Sequence, residues 1–235
     1  MCGRYNLVTD ARAFIDAFQV VNEIPWQPRY NIAPSQEVPA IRLEPEGRKA
    51  VLLRWGLIPH WAKDEKFAYH TINARAETVD RKPAFREAFR KRRCLIPATG
   101  FYEWQKVGKY KQPWNIRVKE RELFAFAGLW EHWKGPGGRT IESCTILVTV
   151  AHEALKRIHD RMPVILDPRD YDTWLDPELD DAGRLKALLR PWPAEDMECW
   201  PVSRRVGNPA NDDPGLIESL EGKAPDLFEM PPESG

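Results

Sequence analysis

The middle of the chain holds four strand-like runs: residues 94–106 (CLIPATGFYEWQK), 113–118, 122–130 and 141–150 (IESCTILVTV). A turn at Gly108 separates the first two, and Gly135-Pro136-Gly137-Gly138 separates the last two. A further buried strand is expected at 49–58 (KAVLLRWGLI). Helical segments are short. Residues 10–18 (DARAFIDAF) have Asp10 as a possible N-cap and Phe14 and Phe18 four apart. Residues 82–92 carry Pro83 in the first turn and Phe85 and Phe89 on one face, and 168–174 and 180–190 also read as helical. Residues 25–39 are Pro-rich and irregular. Long helices do not alternate with the strands, which argues against a parallel βαβ series. The pattern predicts a single α+β domain over residues 1–210, built on a curved, largely antiparallel sheet or open barrel with short peripheral helices. Residues 211–235 turn acidic and Pro-rich, and the expectation there is a flexible tail.

Composition removes several classes. At 43 % hydrophobic and 30 % charged the chain resembles an ordinary soluble domain, and no apolar run approaches the ~18 residues of a membrane span. The N-terminus has no basic segment followed by an apolar stretch, so no signal peptide is expected. Cysteines stand at 2, 94, 144 and 199, with no short pairing, which speaks against a zinc knuckle or a disulfide framework. Net charge is zero but unevenly divided. Residues 1–120 hold 22 Lys+Arg and 13 Asp+Glu, and residues 121–235 hold 13 and 22. The first half either presents a basic face to a polyanion or is neutralised by the second half in the fold. Residues 81–93 concentrate seven basic residues against one acidic, a solvated helix face or a backbone-tracking surface for nucleic acid.

The opening Met1-Cys2-Gly3-Arg4 carries the chemistry. Removal of Met1 leaves Cys2 with a free α-amine and a thiol, whose ordinary pKa values, about 7.7–8.0 and about 8.5, both lie near neutrality. An adjacent amine and thiol capture an aldehyde: the amine forms an imine and the thiol closes on it as a five-membered thiazolidine. The same residue can instead attack a carbonyl with its own amine as base. Glu103 lies between Phe101 and Trp104 on an apolar strand: it either points to solvent, the commoner fate of a strand Glu, or is buried with a raised pKa that suits it to shuttle protons.

Further blocks stand in order along the chain: Tyr30-Asn31-Ile32-Ala33-Pro34, Trp55-Gly56-Leu57-Ile58-Pro59 with Trp61, Ile72-Asn73-Ala74-Arg75-Ala76-Glu77, Gly100-Phe101-Tyr102-Glu103-Trp104, His159-Asp160-Arg161-Met162-Pro163, and Pro201 to Asn208. Together with Met1 to Tyr5, they resemble the SOS-response-associated peptidase family, the abasic-site processing proteins, over residues 2 to about 208. The resemblance implies an enzyme that senses abasic sites in single-stranded DNA and shields them through a thiazolidine crosslink made by Cys2. It implies catalytic roles for Cys2, Asn73, Glu103 and His159, and DNA contacts through Arg4, Trp61, Arg75 and Arg161. It implies no metal and no organic cofactor, since amine, thiol and carboxylate suffice. Expected with it are a cytoplasmic, nucleoid-associated monomer, the replication machinery as a neighbour, and no membrane partner. Reversal of the link would give lyase or hydrolase behaviour. Two rivals stay open: an N-terminal-nucleophile cysteine peptidase or amidohydrolase using the same Cys2, and a non-enzymatic single-strand binder in which Cys2 is incidental.

Overall fold

The computed structural model describes residues 2–220. The chain runs through β1 (Arg4–Leu7), α1 (Ala11–Phe18), β2 (Arg29–Ile32), β3 (Glu37–Glu44), β4 (Gly47–Trp55), β5 (Asn73–Arg75), α2 (Arg86–Lys91), β6 (Arg93–Ala98), β7 (Gly100–Val107), β8 (Tyr110–Val118), β9 (Phe124–Lys134) and β10 (Thr140–Val150). Then follow α3 (Glu153–Lys156), β11 (Arg161–Pro163), β12 (Ile165–Leu166), α4 (Tyr171–Leu175), α5 (Ala182–Ala187) and β13 (Met197–Pro201). Asp10 caps α1 by accepting from the Ala13 N–H at 2.8 Å, and Phe14 and Phe18 turn one face of that helix into the core. The helix expected over 82–92 is shorter than its pattern. Pro83 lies in a turn, and α2 begins only at Arg86, because Phe85 takes a non-helical conformation at its start. The irregular reading of 25–39 is corrected in the same way: β2 and the start of β3 fall within it, with Pro39 in the ladder opposite Leu52.

The strands form two sheets. In the first, β10, β4, β3, β6 and β9 pair in succession, and β9 pairs back onto β10, so the ring closes as a barrel. In the second, the order is β13-β8-β7-β1-β2. Every pairing among the described residues is antiparallel except the two that β10 makes with β4 and β5.

The run 94–106, which reads as one strand, is two strands in different sheets. Ala98 ends β6 opposite Phe124 of the barrel, and Gly100 starts β7 opposite Asn6 of the second sheet. Glycine is required at this crossing. A Cβ on Gly100 would stand 2.9 Å from the side-chain oxygens of both Asn6 and Asn115. Those two amides are buried and joined to each other at 3.0 Å, and Thr99 donates to Asn6 at 2.7 Å. Side chains alternate along a strand, so Phe101 and Glu103 share the face of β7 turned toward the barrel. Phe101 meets Phe126 edge-on at 6.0 Å, and Tyr5 meets Trp55 and Phe126 at 5.4 and 5.8 Å. Tyr102 points the other way, into a smaller cluster with Trp200, Val202, Val206 and Leu216.

That second cluster overturns part of the expected tail. Residues 211–220 are held against the body: Asp212 accepts from the backbone N–H groups of Tyr30 and Asn31 and pairs with Arg29, Leu216 is buried, and the Leu220 N–H donates to the Pro201 carbonyl at 3.0 Å. The rest of the expected tail, 221–235, lies outside the described residues. Asn31 is the keystone of this packing. Its amide donates to the carbonyls of Val206, Asn208 and Asn211 at 2.8–3.2 Å, and its oxygen accepts from Arg4 at 3.2 Å. Buried polar groups left without partners cost about 1–3 kcal/mol each. Asn31→Ala is therefore expected to destabilise the protein by about 3 kcal/mol or more and to open residues 204–220 to protease. Urea unfolding with limited proteolysis reads both effects, and unchanged values would remove this role from Asn31.

Candidate active site

Cys2 stands two residues before the start of β1, and Glu103 lies on the neighbouring β7. Cys2 is fully buried, with its thiol 3.8 Å from the Arg4 carbonyl. Burial, and then the nearby Glu103 carboxylate, push the thiol pKa well above the ordinary cysteine value. Glu103 is only 2 % exposed, and burial raises its carboxyl to about 7, the second of the two settings its strand left open. A carboxyl titrating there exists in both protonation states at neutral pH, which general acid–base work requires.

The second part of the constellation is assembled by β10. Its residues Ile146 and Val148 pair with Asn73 and Arg75 of β5, while Val148 and Val150 pair with Pro163 and Arg161 of β11 on the opposite edge. Asn73 and Arg75 on one edge and Arg161 on the other, distant in sequence, flank the C-terminal end of β10. Asn73 donates to the Ile146 carbonyl at 3.4 Å, and its buried Oδ1 has no hydrogen-bond partner among the described residues. An acceptor in that state is matched to a hydroxyl or N–H of a bound substrate.

His159 stands two residues before β11. Its Nδ1 accepts from the Arg161 backbone N–H at 3.0 Å, so in the neutral ring the proton sits on Nε2. Burial lowers the His159 pKa, and the positive charge of Lys111 acts in the same direction.

The expected DNA contacts separate into three kinds. Arg75 is exposed and makes no ion pair among the described residues, leaving its guanidinium available to an anion. Trp61 is 48 % exposed and meets Phe67 in a T-shaped contact at 5.3 Å, so it is a surface ring. Its loop is fixed at both ends on β10: the Gly56 N–H donates to the Cys144 carbonyl, and the Ile146 N–H donates to that of Ile72. Gly56 takes φ +124°, and a Cβ there would meet the Ala68 carbonyl oxygen at 2.9 Å, so the loop needs glycine. Arg161, in contrast, is paired with Glu77. Arg4 is engaged on the Asn31 side chain and the carbonyls of Val206 and Gly207, and it braces the second sheet against the 204–208 turn.

The basic run at 81–93 is largely consumed by the fold. Arg93 is buried and donates to the carbonyls of Trp174, Phe89, Arg90, Asp176 and Leu179, tying α2 to the segment after α4. Arg90 pairs with Asp180, and Arg92 with the buried Glu131 at 2.8 Å. Of the run's two readings, the one as an open surface for a polyanion fails for these residues, because charges from the acidic second half meet them. Two residues gain importance that the sequence did not give them: Glu77 as the partner of Arg161, and Lys111 as a charge acting on His159. The first lies inside a motif block and was legible by position; nothing local marked the second.

Among the described residues no group of three or more His, Cys, Asp or Glu could hold a metal ion, and no helix is long and apolar enough to cross a membrane. The four cysteines are free and buried.

Comparison with known proteins adds an independent line. Residues 1–209 match the family described as SOS response associated peptidase. The abasic site processing protein YoqW of Bacillus subtilis is 46 % identical over 223 residues, which cover 93 % of this chain and 100 % of the relative. The abasic site processing protein HMCES of Xenopus tropicalis is 32 % identical over 226 residues, 83 % of this chain and 67 % of the relative. A crystal structure of a protein from Bacteroides thetaiotaomicron superimposes with a TM-score of 0.84 at 27 % identity, covering 93 % of this chain and 100 % of that one.

Proposed function

This chain belongs to the SOS response associated peptidase family, and from that membership we propose that it is a DNA-processing enzyme that captures abasic sites in single-stranded DNA as a covalent protein–DNA link. The observation that carries the chemistry is Cys2 buried beside a carboxyl that titrates at about 7.

An abasic deoxyribose is mostly a closed hemiacetal, and opening it to the aldehyde needs proton transfer. His159, neutral and protonated on Nε2, assists that step, and Asn73 Oδ1 accepts from a hydroxyl of the opened sugar. The Cys2 amine, free once Met1 is removed, adds to the aldehyde carbon. Protonated Glu103 gives its proton to the departing hydroxyl, which leaves as water, and a protonated imine (C=N–H+) remains. The thiol sulfur then bonds to the imine carbon, the C=N π pair moves to nitrogen, and the thiol proton passes to the Glu103 carboxylate. The product is a thiazolidine. The raised thiol pKa supports this order of events: the sulfur is held as the neutral thiol until a base takes its proton. The peptidase rival, in which the Cys2 amine is the base, starts from the same neutral thiol, so the two readings part at the product and not at the thiol.

The test mixes the processed protein with a single-stranded oligonucleotide bearing one abasic site and runs a denaturing gel. A heat-stable covalent band, absent when the aldehyde has first been reduced, is expected. Its absence, with cleavage of peptides in its place, would establish the peptidase instead.

Arg75, Arg161 and Arg4 hold the strand's phosphates in this reading, and Trp61 stacks on a base. The three arginines are not equivalent. Arg75 meets an anion without losing a partner, Arg161 must share itself with Glu77, and Arg4 is tied to three protein acceptors. Arg75→Ala is expected to flatten the salt dependence of single-strand binding by about 0.7 in log–log slope, the value of one phosphate contact. Arg4→Ala is expected to lower stability more than slope. Titrations at several salt concentrations with a melting curve decide it, and an unchanged slope for Arg75→Ala would exclude that residue from phosphate binding.

A further inference from the structure

The cations that the fold leaves unpaired point to a second surface. The hairpin of β7 and β8 turns through Gly108, at φ +56°, and Lys109. Lys106 stands directly opposite Lys111 in the ladder, and Val107 opposite Tyr110. Like charges facing each other across two strands weaken a hairpin. Lys106, Lys109 and Lys111 are exposed, and none has an ion pair or side-chain hydrogen bond among the described residues. Arg204 adds a fourth charge. Its guanidinium lies over the Tyr110 ring at 5.6 Å, a contact that holds it at the hairpin without neutralising it. Elsewhere the same fold pairs its arginines routinely: Arg90 with Asp180, Arg92 with Glu131, Arg205 with Asp213. The hairpin extends from the candidate site: Lys106 is three residues beyond Glu103 on one strand, about 10 Å along it and on the opposite face, and Lys111 acts electrostatically on His159.

We propose that the tip of the β7–β8 hairpin, with Arg204, is a second contact surface for the DNA strand that enters the site, holding phosphates of the nucleotides that flank the abasic position. The proposal rests on the abasic-site reading above and extends it. The occupant is identified by charge: four clustered cations without protein anions match a polyanionic chain, and the strand passing Glu103 is one already at hand. The contact is sequence-independent, because phosphates carry no base identity. It makes affinity depend on the length of the strand as well as on the abasic group.

The test uses oligonucleotides that carry a tetrahydrofuran abasic analogue, which has no aldehyde and so reports reversible binding alone. One has a single nucleotide on each side and the other ten on each side. Wild-type protein is expected to bind the longer strand markedly more tightly. Lys106→Gln with Lys109→Gln should lose most of that gain and flatten the log–log salt slope on the long strand by about 1.4, roughly a sevenfold difference across a fourfold range of salt. Melting temperature should hold or rise, since a like-charged pair is relieved. An equal gain with length and an equal slope in wild type and variant would overturn the proposal and direct these cations to another partner. Failure of the abasic-site reading looks different: wild type would then form no covalent band with an aldehyde-bearing oligonucleotide of either length.

Discussion

A form of this protein blocked from losing Met1, or carrying an uncleaved N-terminal tag, is expected to give no stable covalent product with an abasic oligonucleotide, while its fold and reversible DNA affinity survive. With Met1 in place the Cys2 nitrogen is an amide, and its lone pair is delocalised into the carbonyl. It cannot form an imine. The thiol alone adds to an aldehyde only as a labile hemithioacetal, and burial holds that thiol protonated. The companion variant, Cys2→Ala with Met1 removed, keeps the amine and loses the ring-closing sulfur. Borohydride should trap its transient imine, but no heat-stable adduct should accumulate. Intact-mass measurement of each form before and after reaction decides the matter. Equal crosslinking by blocked and processed protein would end the aminothiol mechanism.

Glu103→Gln is expected to slow crosslinking by about 10²–10⁴-fold, the usual cost of losing one acid–base group, and at the same time to stabilise the protein at alkaline pH. Burial lifts the Glu103 carboxyl to about 7, from 4.5 for the free group. Between those values the folded state holds a proton that the unfolded state has released. Stability therefore falls as pH rises through that window, and the deficit persists above it. At about 1.4 kcal/mol per pK unit the limit is about 3 kcal/mol. Glutamine fills the same volume and carries no charge to desolvate. The variant should thus melt above wild type at pH 8, with the difference shrinking toward pH 5. Melting curves at the two pH values and single-turnover rates test both halves. A variant that reacts at the wild-type rate would remove Glu103 from the chemistry. One that shows no pH-dependent difference in stability would contradict the raised carboxyl.

The two expectations meet at one residue. A carboxyl buried near Cys2 costs the folded protein stability at neutral pH and gives it a group able to both donate and accept a proton there. The desolvated group sits on the face of β7 that the crossing at Gly100 turns toward the barrel.

What the sequence determined by itself was local. Period-two apolar runs, Gly108 and the 135–138 turn specified strands and hairpins; Asp10 with Phe14 and Phe18 specified α1; the N-terminal Cys2 and the ordered motif blocks specified the family. These signals need only neighbours a few residues apart. Tertiary structure decided which strands share a sheet and which charges remain free. The run 94–106 reads as one strand because its apolar pattern continues through Thr99. Its division into two sheets depends on Asn6 and Asn115 closing around Gly100. Arg90, Arg92 and Arg93 of the 81–93 run look like a nucleic-acid surface until carbonyls and carboxylates of the acidic half meet them. Three neighbouring lysines at the hairpin gain Arg204 from more than ninety residues away only because the fold lays it over Tyr110. Partners separated by tens to hundreds of residues leave no mark in a local pattern, and the electrostatics of a site is set by those partners.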